Sequence, residues 1–217
     1  MNALSTMLLI SDAFVELCDE MPLRKVSISD IVERTGKNRK TFYYHFENKD
    51  RLIIWIFHYD MGQCLKRISP SQCSSTTTIR RIPPRDSPTI LPRSPACARS
   101  TTRSSFQCFA EVLEGRRNFY RQALVDNGPY SLRNYLYALY LEAMKRDIDI
   151  ILSNRYLPKD NIDFLAEFYT CAFLYYYIRR CDARGVESIG GQAGPFANII
   201  HSSLENEIKE AQMRRNL

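Results

Sequence analysis

The chain lacks the features that define several protein classes. Its mean hydropathy is −0.32, and no uninterrupted apolar run is long enough to span a bilayer, so we expect no membrane segment. The first twenty residues have no basic start ahead of their apolar stretch, which argues against a secretory signal. Only 8 glycines and 10 prolines occur, which is too few for a turn-rich all-β fold.

Cysteine, histidine and known catalytic motifs give no sign of a metal centre or an active site. The seven cysteines form no CxxC pair and are odd in number, so we expect neither a disulfide framework nor a zinc ribbon, and a reducing cytoplasm is the expected compartment. The three histidines lie far apart without ligand spacing. No nucleophile elbow, zinc-peptidase motif or phosphate loop is present, and we therefore predict no enzyme and no cofactor.

Apolar residues at helical spacing predict an all-α fold. The first helix is expected over residues 3–20, where Ile10, Phe14 and Leu17 share one face. After a proline- and serine-rich interval, helices are predicted at about 106–125, 131–153, 159–183 and 195–214, separated by proline and glycine breaks.

Between the first helix and residue 63, capping residues predict three closely spaced helices. Ser27, with an acid three residues later, predicts a capping box, and Gly36 suits the position just after the helix end, where φ is positive. Asn38 and Asn48 predict the next two N-caps. Two short helices joined by a tight glycine turn form the helix-turn-helix layout, in which the second helix enters the major groove of DNA.

The second helix of this layout combines polar side chains with two aromatic anchors. Phe42 and Phe46 are four residues apart and should share the buried face. Arg39, Lys40 and Tyr44 are candidates for base contacts, since arginine most often reads guanine in the major groove. The full set of predicted DNA-binding residues is Lys37, Asn38, Arg39, Lys40, Thr41, Tyr43, Tyr44, His45 and Lys49.

The same stretch resembles the TetR family of bacterial transcription regulators. The family pattern is a glycine turn, a small polar cap, Thr, an aromatic run ending Tyr-x-His-Phe, then a polar residue, Lys, an acid and Leu. The matching residues are Gly36, Asn38, Thr41, Tyr43, His45, Phe46, Asn48, Lys49, Asp50 and Leu52. The resemblance covers roughly residues 5–57 and departs at Lys37 and Lys40, where the family usually has an apolar and a small residue. Residues 118–139 resemble family members near the dihydroxyacetone kinase regulators.

The resemblance implies a domain organisation and a function. Residues 1–48 would form the three-helix DNA-binding domain, 49–68 a connecting helix, and 106–217 a helical regulatory and dimerisation domain. The protein would bind double-stranded DNA as a homodimer on a palindromic operator, most often as a repressor, and be released by a small-molecule effector or a regulatory protein. Tyr43 and Lys49 would contact the DNA backbone.

Positive charge is concentrated between these two regions. The net charge is +6, yet residues 1–60 carry eight basic against nine acidic side chains, while residues 66–105 carry eight basic side chains against one acid. Residues 69–105 also hold six of the ten prolines, so we predict a low-complexity linker without a packed helix. An arm that contacts DNA and an out-of-frame stretch between two compensating shifts are the alternative interpretations.

Two further expectations concern association. The helices at 159–183 and 195–214 are predicted to dimerise, with Ile199, Ile200, Leu204 and Ile208 forming the apolar stripe of the last helix. The alternative function is a protein-interaction co-regulator with weak intrinsic DNA binding, because the N-terminal region carries almost no net charge.

Overall fold

The computed structural model describes residues 3–68, 98–152, 155–182, 189 and 193–215. Within these ranges the chain forms helices and no strand, which confirms the predicted all-α fold. The helices are α1 (Ala3–Glu20), α2 (Ile28–Thr35), α3 (Arg39–His45), α4 (Lys49–Ile68), α5 (Ala98–Gly115), α6 (Arg117–Val125), α7 (Leu132–Leu152), α8 (Lys159–Asp182) and α9 (Ala193–Arg215).

The first of two compact units contains the described residues of 3–68 and 112–135. Its core is aromatic, with Phe14, Phe42, Phe57 and Phe119 almost fully buried. The rings of Phe14 on α1 and Phe119 on α6 meet edge to face, with centroids 5.8 Å apart. Burying a side chain of this size stabilises the fold by about 1.5–3 kcal/mol, so this core holds the short helices α2 and α3 in place.

Polar contacts also attach α6 to the end of α1 in this unit. The Gln122 side chain donates from Nε2 to the Cys18 carbonyl oxygen at 2.8 Å and accepts from the Leu23 N–H at 2.7 Å. Asn118 Nδ2 donates to Asp19 Oδ1 at 2.7 Å. Nothing in the sequence pattern pairs residues a hundred positions apart, and the predicted domain boundaries separated α1 from α6.

The second unit contains the described residues of 98–111 and 136–215. Phe109, Tyr140, Phe173 and Tyr177 form an aromatic cluster, in which the ring centroids of Tyr140 and Phe173 lie 4.8 Å apart. A neighbouring apolar cluster consists of Met144, Ile148, Leu152, Leu157, Ala166, Tyr169, Ile200, Leu204 and Ile208. Aromatic and aliphatic side chains from α5, α7, α8 and α9 therefore build this core.

The predicted dimer stripe on the last helix is wrong for three of its four residues. Ile200, Leu204 and Ile208 are buried in the core of their own chain, at 7%, 0% and 0% exposure, and only Ile199 is exposed. An apolar stripe identifies the buried face of a helix but does not distinguish a neighbouring helix from a second copy of the chain.

The predicted helix at 106–125 differs from the structure at its start and in its middle. Helix α5 begins at Ala98, so residues 98–105 of the predicted linker are helical, which the sequence permits because its last preceding proline is Pro95. The helix then breaks at Arg116, whose backbone (φ −130°, ψ 48°) is not helical. The rest of the predicted linker, residues 69–97, lies outside the described residues.

Two helix boundaries also differ from the predictions. Helix α4 ends at Ile68, as the predicted connecting helix at 49–68 does, and not near residue 63, where the apolar pattern alone placed its end. Helix α9 begins at Ala193, which places Pro195 in its first turn, where a backbone N–H has no partner within the helix. The predicted glycine-rich break at 190–194 falls partly outside the described residues.

Candidate nucleic-acid interface

Helix α2 begins and ends at the predicted residues. The Ser27 N–H donates to Asp30 Oδ2 at 2.8 Å and the Asp30 N–H donates to Ser27 Oγ at 3.2 Å, which completes a capping box. The hydrogen bond from the Ser27 backbone lowers the pKa of Asp30. At the other end, Gly36 adopts a left-handed conformation with φ 62°, and its N–H donates to the Glu33 carbonyl oxygen at 3.1 Å. These bonds confirm the predicted glycine turn.

Asn38 and Thr41 hold the start of α3. The Thr41 N–H donates to Asn38 Oδ1 at 2.8 Å, and the Thr41 hydroxyl contacts the same oxygen at 3.1 Å. Two of the predicted DNA-binding residues therefore have a structural role at the N-cap. The third predicted cap is also present, since the Arg51 N–H donates to Asn48 Oδ1 at 2.9 Å.

Helix α3 separates a buried aromatic face from an exposed basic and aromatic face. Phe42 and Phe46 are buried at 0% and 3% exposure, and the Phe46 ring packs edge-on against Trp55 of α4. Tyr43 and Tyr44 are 55% and 83% exposed, and Arg39 and Lys40 are exposed with them. Residues 39, 40, 43 and 44 lie on adjacent positions of one helical surface, because they are spaced by one, three and four residues.

The other three predicted DNA-binding residues flank this face and are half-buried. Lys49 Nζ donates to the Val26 carbonyl oxygen at 2.6 Å, which joins the start of α4 to the chain just before α2. An ammonium group has three donors, so this bond leaves two for a phosphate. His45 packs edge-on against Tyr44, and burial lowers the pKa of its imidazole, which favours the neutral form. Lys37 lies at the end of the glycine turn.

Further contacts orient α2 and α3 in ways that the sequence did not indicate. Arg34 of α2 donates to Glu20 of α1 at 2.7 Å, and this hydrogen bond lowers the pKa of the Glu20 carboxyl. Arg39 Nη2 donates to Ser29 Oγ across the turn between α2 and α3. Both arginines were visible in the sequence, but their partners lie ten or more residues away and required the fold.

In the part of the chain that the structure describes, no group of three or more histidine, cysteine or acidic side chains is arranged to hold a metal ion. None of the described helices has the length and apolar character needed to cross a bilayer.

This glycine-linked helix pair, with a basic and aromatic outer face on its second helix, defines a helix-turn-helix protein of the DNA-binding class. Residues 10–54 match the family model described as bacterial regulatory proteins, tetR family, and residues 100–179 match the TetR C-terminal model described as transcriptional regulator C-terminal region. The chain belongs to the TetR family of transcriptional regulators, as its sequence resemblance indicated. Such regulators bind DNA and are not enzymes.

Two named regulators are similar to this chain. The HTH-type dhaKLM operon transcriptional activator DhaS of Lactococcus lactis subsp. lactis (strain IL1403) is 32% identical over 64 residues, which cover 30% of this chain. The match spans only 34% of that relative's length. The solved structure of the dihydroxyacetone kinase operon activator DhaS covers 93% of this chain and 97% of its own, with a TM-score of 0.57 at 17% identity. This second likeness supports the fold.

Proposed function

We propose that this regulator binds a palindromic operator as a homodimer, with α3 of each copy in a major groove. The observation that carries the proposal is the outer face of α3, where Arg39, Lys40, Tyr43 and Tyr44 are exposed while Phe42 anchors the helix. Adjacent exposed aromatic side chains often mark an interaction surface, and basic side chains beside them suit an anionic polymer.

The residues of this face would have different roles. Tyr43 and Lys49 would contact phosphates, so that replacing either would weaken binding to every sequence. Arg39, Lys40 and Tyr44 would contact base edges. Asn38 and Thr41 would act mainly by holding the start of α3, and Lys37 and His45 would border the contact surface.

Binding assays at several salt concentrations test these roles. Tyr43→Ala should weaken binding to all duplexes without changing the salt slope, because a neutral hydroxyl releases no counterion, and Tyr43→Phe should reproduce the loss if the hydroxyl makes that contact. Lys49→Ala should also reduce the salt slope by about one, as expected for a lost cationic phosphate contact. Tyr130→Ala removes a tyrosine of similar exposure (68%) outside α3 and is the matched control. Equal affinities for the Tyr43 variants and wild type would exclude the phosphate role of Tyr43, and an unchanged slope for Lys49→Ala would exclude that of Lys49.

Arg39→Ala should instead reduce the preference at one base position, by about 1–3 kcal/mol. A mobility shift with a random duplex at low salt distinguishes the alternative function. A co-regulator with weak intrinsic DNA binding would leave that duplex largely unshifted, whereas the proposed regulator should retard it.

The dimer interface is proposed to include the outer face of α8. Phe164, Phe168 and Tyr175 are 65%, 55% and 62% exposed, and Cys171 is exposed between them. The spacings of four, three and four residues place all four on one face of the helix, and the rings of Phe164 and Phe168 stack at 6.1 Å. An isologous contact between two copies would cover this face and set the spacing of the two recognition helices at about 34–36 Å.

Light scattering of two variants tests this interface. Phe168→Glu combined with Tyr175→Glu should yield monomers, because the charges would be buried in the contact. Val125→Glu, at an exposed apolar position on α6, is the control for a charge added elsewhere. A double variant that stays dimeric would show that the interface lies on another surface.

The direction of regulation and the inducing signal form the last part of the proposal. Repression was the expectation from the family resemblance, but the similar Lactococcus lactis protein is named an activator, which favours activation in this chain. A small-molecule effector or a regulatory protein would act by binding one conformation of the dimer more tightly than the other. A reporter downstream of an operator that this protein selects from randomised duplexes should gain expression when the protein is present. A loss of expression would instead support repression.

A further inference from the structure

Ser29, on α2, contacts the first residue of the recognition helix α3. One N–H of Arg39 Nη2 donates to the Ser29 hydroxyl, and the two residues are ten positions apart in the sequence. The hydroxyl of Ser29 has no part in the helix cap, because Ser27 is the N-cap and Asp30 completes the capping box. The Ser29 side chain therefore has a role that the formation of α2 does not explain.

The contact leaves the arginine able to bind DNA. A guanidinium group has five N–H donors in one plane, and Ser29 accepts one of them. Arg39 is exposed on the outer face of α3, so donors remain available for a base edge. Guanine is read by two parallel donors of an arginine, which requires the plane of the guanidinium to be oriented.

Restricting the Arg39 side chain before DNA binds should increase its selectivity for guanine. A free arginine samples many rotamers and loses that freedom when it contacts a base. A hydrogen bond to a side chain on the preceding helix restricts the rotamers in the unbound protein. Lys40, the neighbouring base-contact candidate, is equally exposed but is not linked to α2 by a hydrogen bond among the described residues.

We propose that Ser29 is a positioning residue that orients Arg39 and thereby sets the base preference at one operator position. The inference rests on the proposed function, since it requires Arg39 to read a base edge. Ser29 acts through the arginine and does not itself contact DNA.

The variant that tests the inference should fold. Ser29→Ala lies within α2, where alanine is at least as favourable as serine, and the N-cap is untouched. Ser29→Thr keeps a hydroxyl at the same position and serves as the conservative variant. Unchanged thermal unfolding of both would confirm that any change in binding is not caused by loss of structure.

The experiment begins with a pool of double-stranded oligonucleotides with a randomised centre, from which wild-type protein selects its preferred sequence. Affinities are then measured for that duplex, for its single-base variants and for an unselected random duplex. Ser29→Ala should lower the preference roughly tenfold at the position that Arg39→Ala also affects, as expected for one charged hydrogen bond. Affinity for the random duplex and the salt slope should not change, and Ser29→Thr should retain the preference.

A double-mutant cycle separates positioning from direct contact. In the Arg39→Ala background, Ser29→Ala should have no further effect, whereas combining Ser29→Ala with Lys40→Ala should give additive losses. Weaker binding to the random duplex in both backgrounds would instead make Ser29 a phosphate contact and overturn the inference.

Two other outcomes would also contradict the inference, and they have different meanings. If Arg39→Ala reduces base preference but Ser29→Ala does not, the positioning role fails while the proposed function stands. If Arg39→Ala leaves base preference unchanged, the assignment of Arg39 in the proposed function fails and the inference fails with it.

Discussion

Acid should destabilise this protein through His58, which lies on α4 in the first unit. Its Nε2 hydrogen-bonds the Tyr135 hydroxyl, and its ring packs edge-on against Tyr135 and Phe57 with centroids 5.5 and 5.8 Å away. Removal from water disfavours the imidazolium and lowers the pKa of His58 from 6.5 to about 4. Burial is the cause, since no neighbouring charge contributes to the shift.

The sign of the effect follows from comparing the folded and unfolded chains. As the pH falls below 6.5 the unfolded chain takes up a proton that the folded chain refuses, so protonation favours unfolding. The contribution of His58 to the free energy of unfolding is fully present above pH 6.5 and is lost as the pH falls to about 4. With about 1.4 kcal/mol for each pKa unit, the loss of stability has an upper limit of about 3.5 kcal/mol, and the actual loss is smaller because part of the ring reaches solvent.

Urea unfolding between pH 7.5 and 4.5 measures this loss, with His58→Gln as the comparison. Glutamine has no proton to gain, so the variant should lose less stability than wild type across this window. Other groups titrate in both proteins and cancel in the difference. Among them is Asp60, whose pKa is raised by burial. Its contribution to the free energy of unfolding therefore increases as the pH falls, which is opposite to that of His58.

Tyr135→Phe supplies a control for the cause. It removes the hydroxyl partner but keeps the ring, so the pH dependence should persist if burial lowers the pKa. Identical pH dependence in wild type and His58→Gln would refute the reasoning, because it would mean that His58 has the same pKa in the folded and the unfolded chain.

Two other substitutions test individual positions. Thr170→Val should raise the free energy of unfolding by about 1 kcal/mol or more, because the Thr170 hydroxyl is fully buried without a hydrogen-bond partner among the described residues; a loss of stability in urea would mean that the hydroxyl is paired in solution. Gly36→Ala should cost about 1–2 kcal/mol from its positive φ alone, since a Cβ there would meet nothing within 4 Å. Gly115→Ala, with equally open space and no positive φ, is the control, and equal effects on thermal unfolding would contradict the strain argument.

Local hydrogen bonds explain why the helix-turn-helix region could be predicted from sequence. The caps at Ser27, Asn38 and Asn48 each bind a backbone N–H three residues later, and Gly36 meets a backbone requirement of its own turn. Such interactions depend on neighbouring residues alone, so their spacing could be read directly. The family resemblance depended on the same positions.

Helix α9 shows what apolar periodicity could not predict, namely the surface against which a buried face packs. The stripe of Ile200, Leu204 and Ile208 correctly marked the buried face, but its partner is the chain's own core. The exposed aromatic face of α8 belonged to a helix whose aromatic residues all looked alike in sequence. Phe168 and Phe173 differ in exposure, 55% against 1%, only because one side of α8 is covered by other helices.

The sequence by itself determined the all-α class, the family and the ends of the short helices α2 and α3, because each rests on patterns within a few residues. Only the tertiary structure decided the contacts that link distant segments. Gln122 binds the end of α1, His58 meets Tyr135, and Ser29 holds Arg39. These pairs form because the folded core brings their helices together. Each polar side chain then bonds to a partner that the fold places within hydrogen-bonding distance.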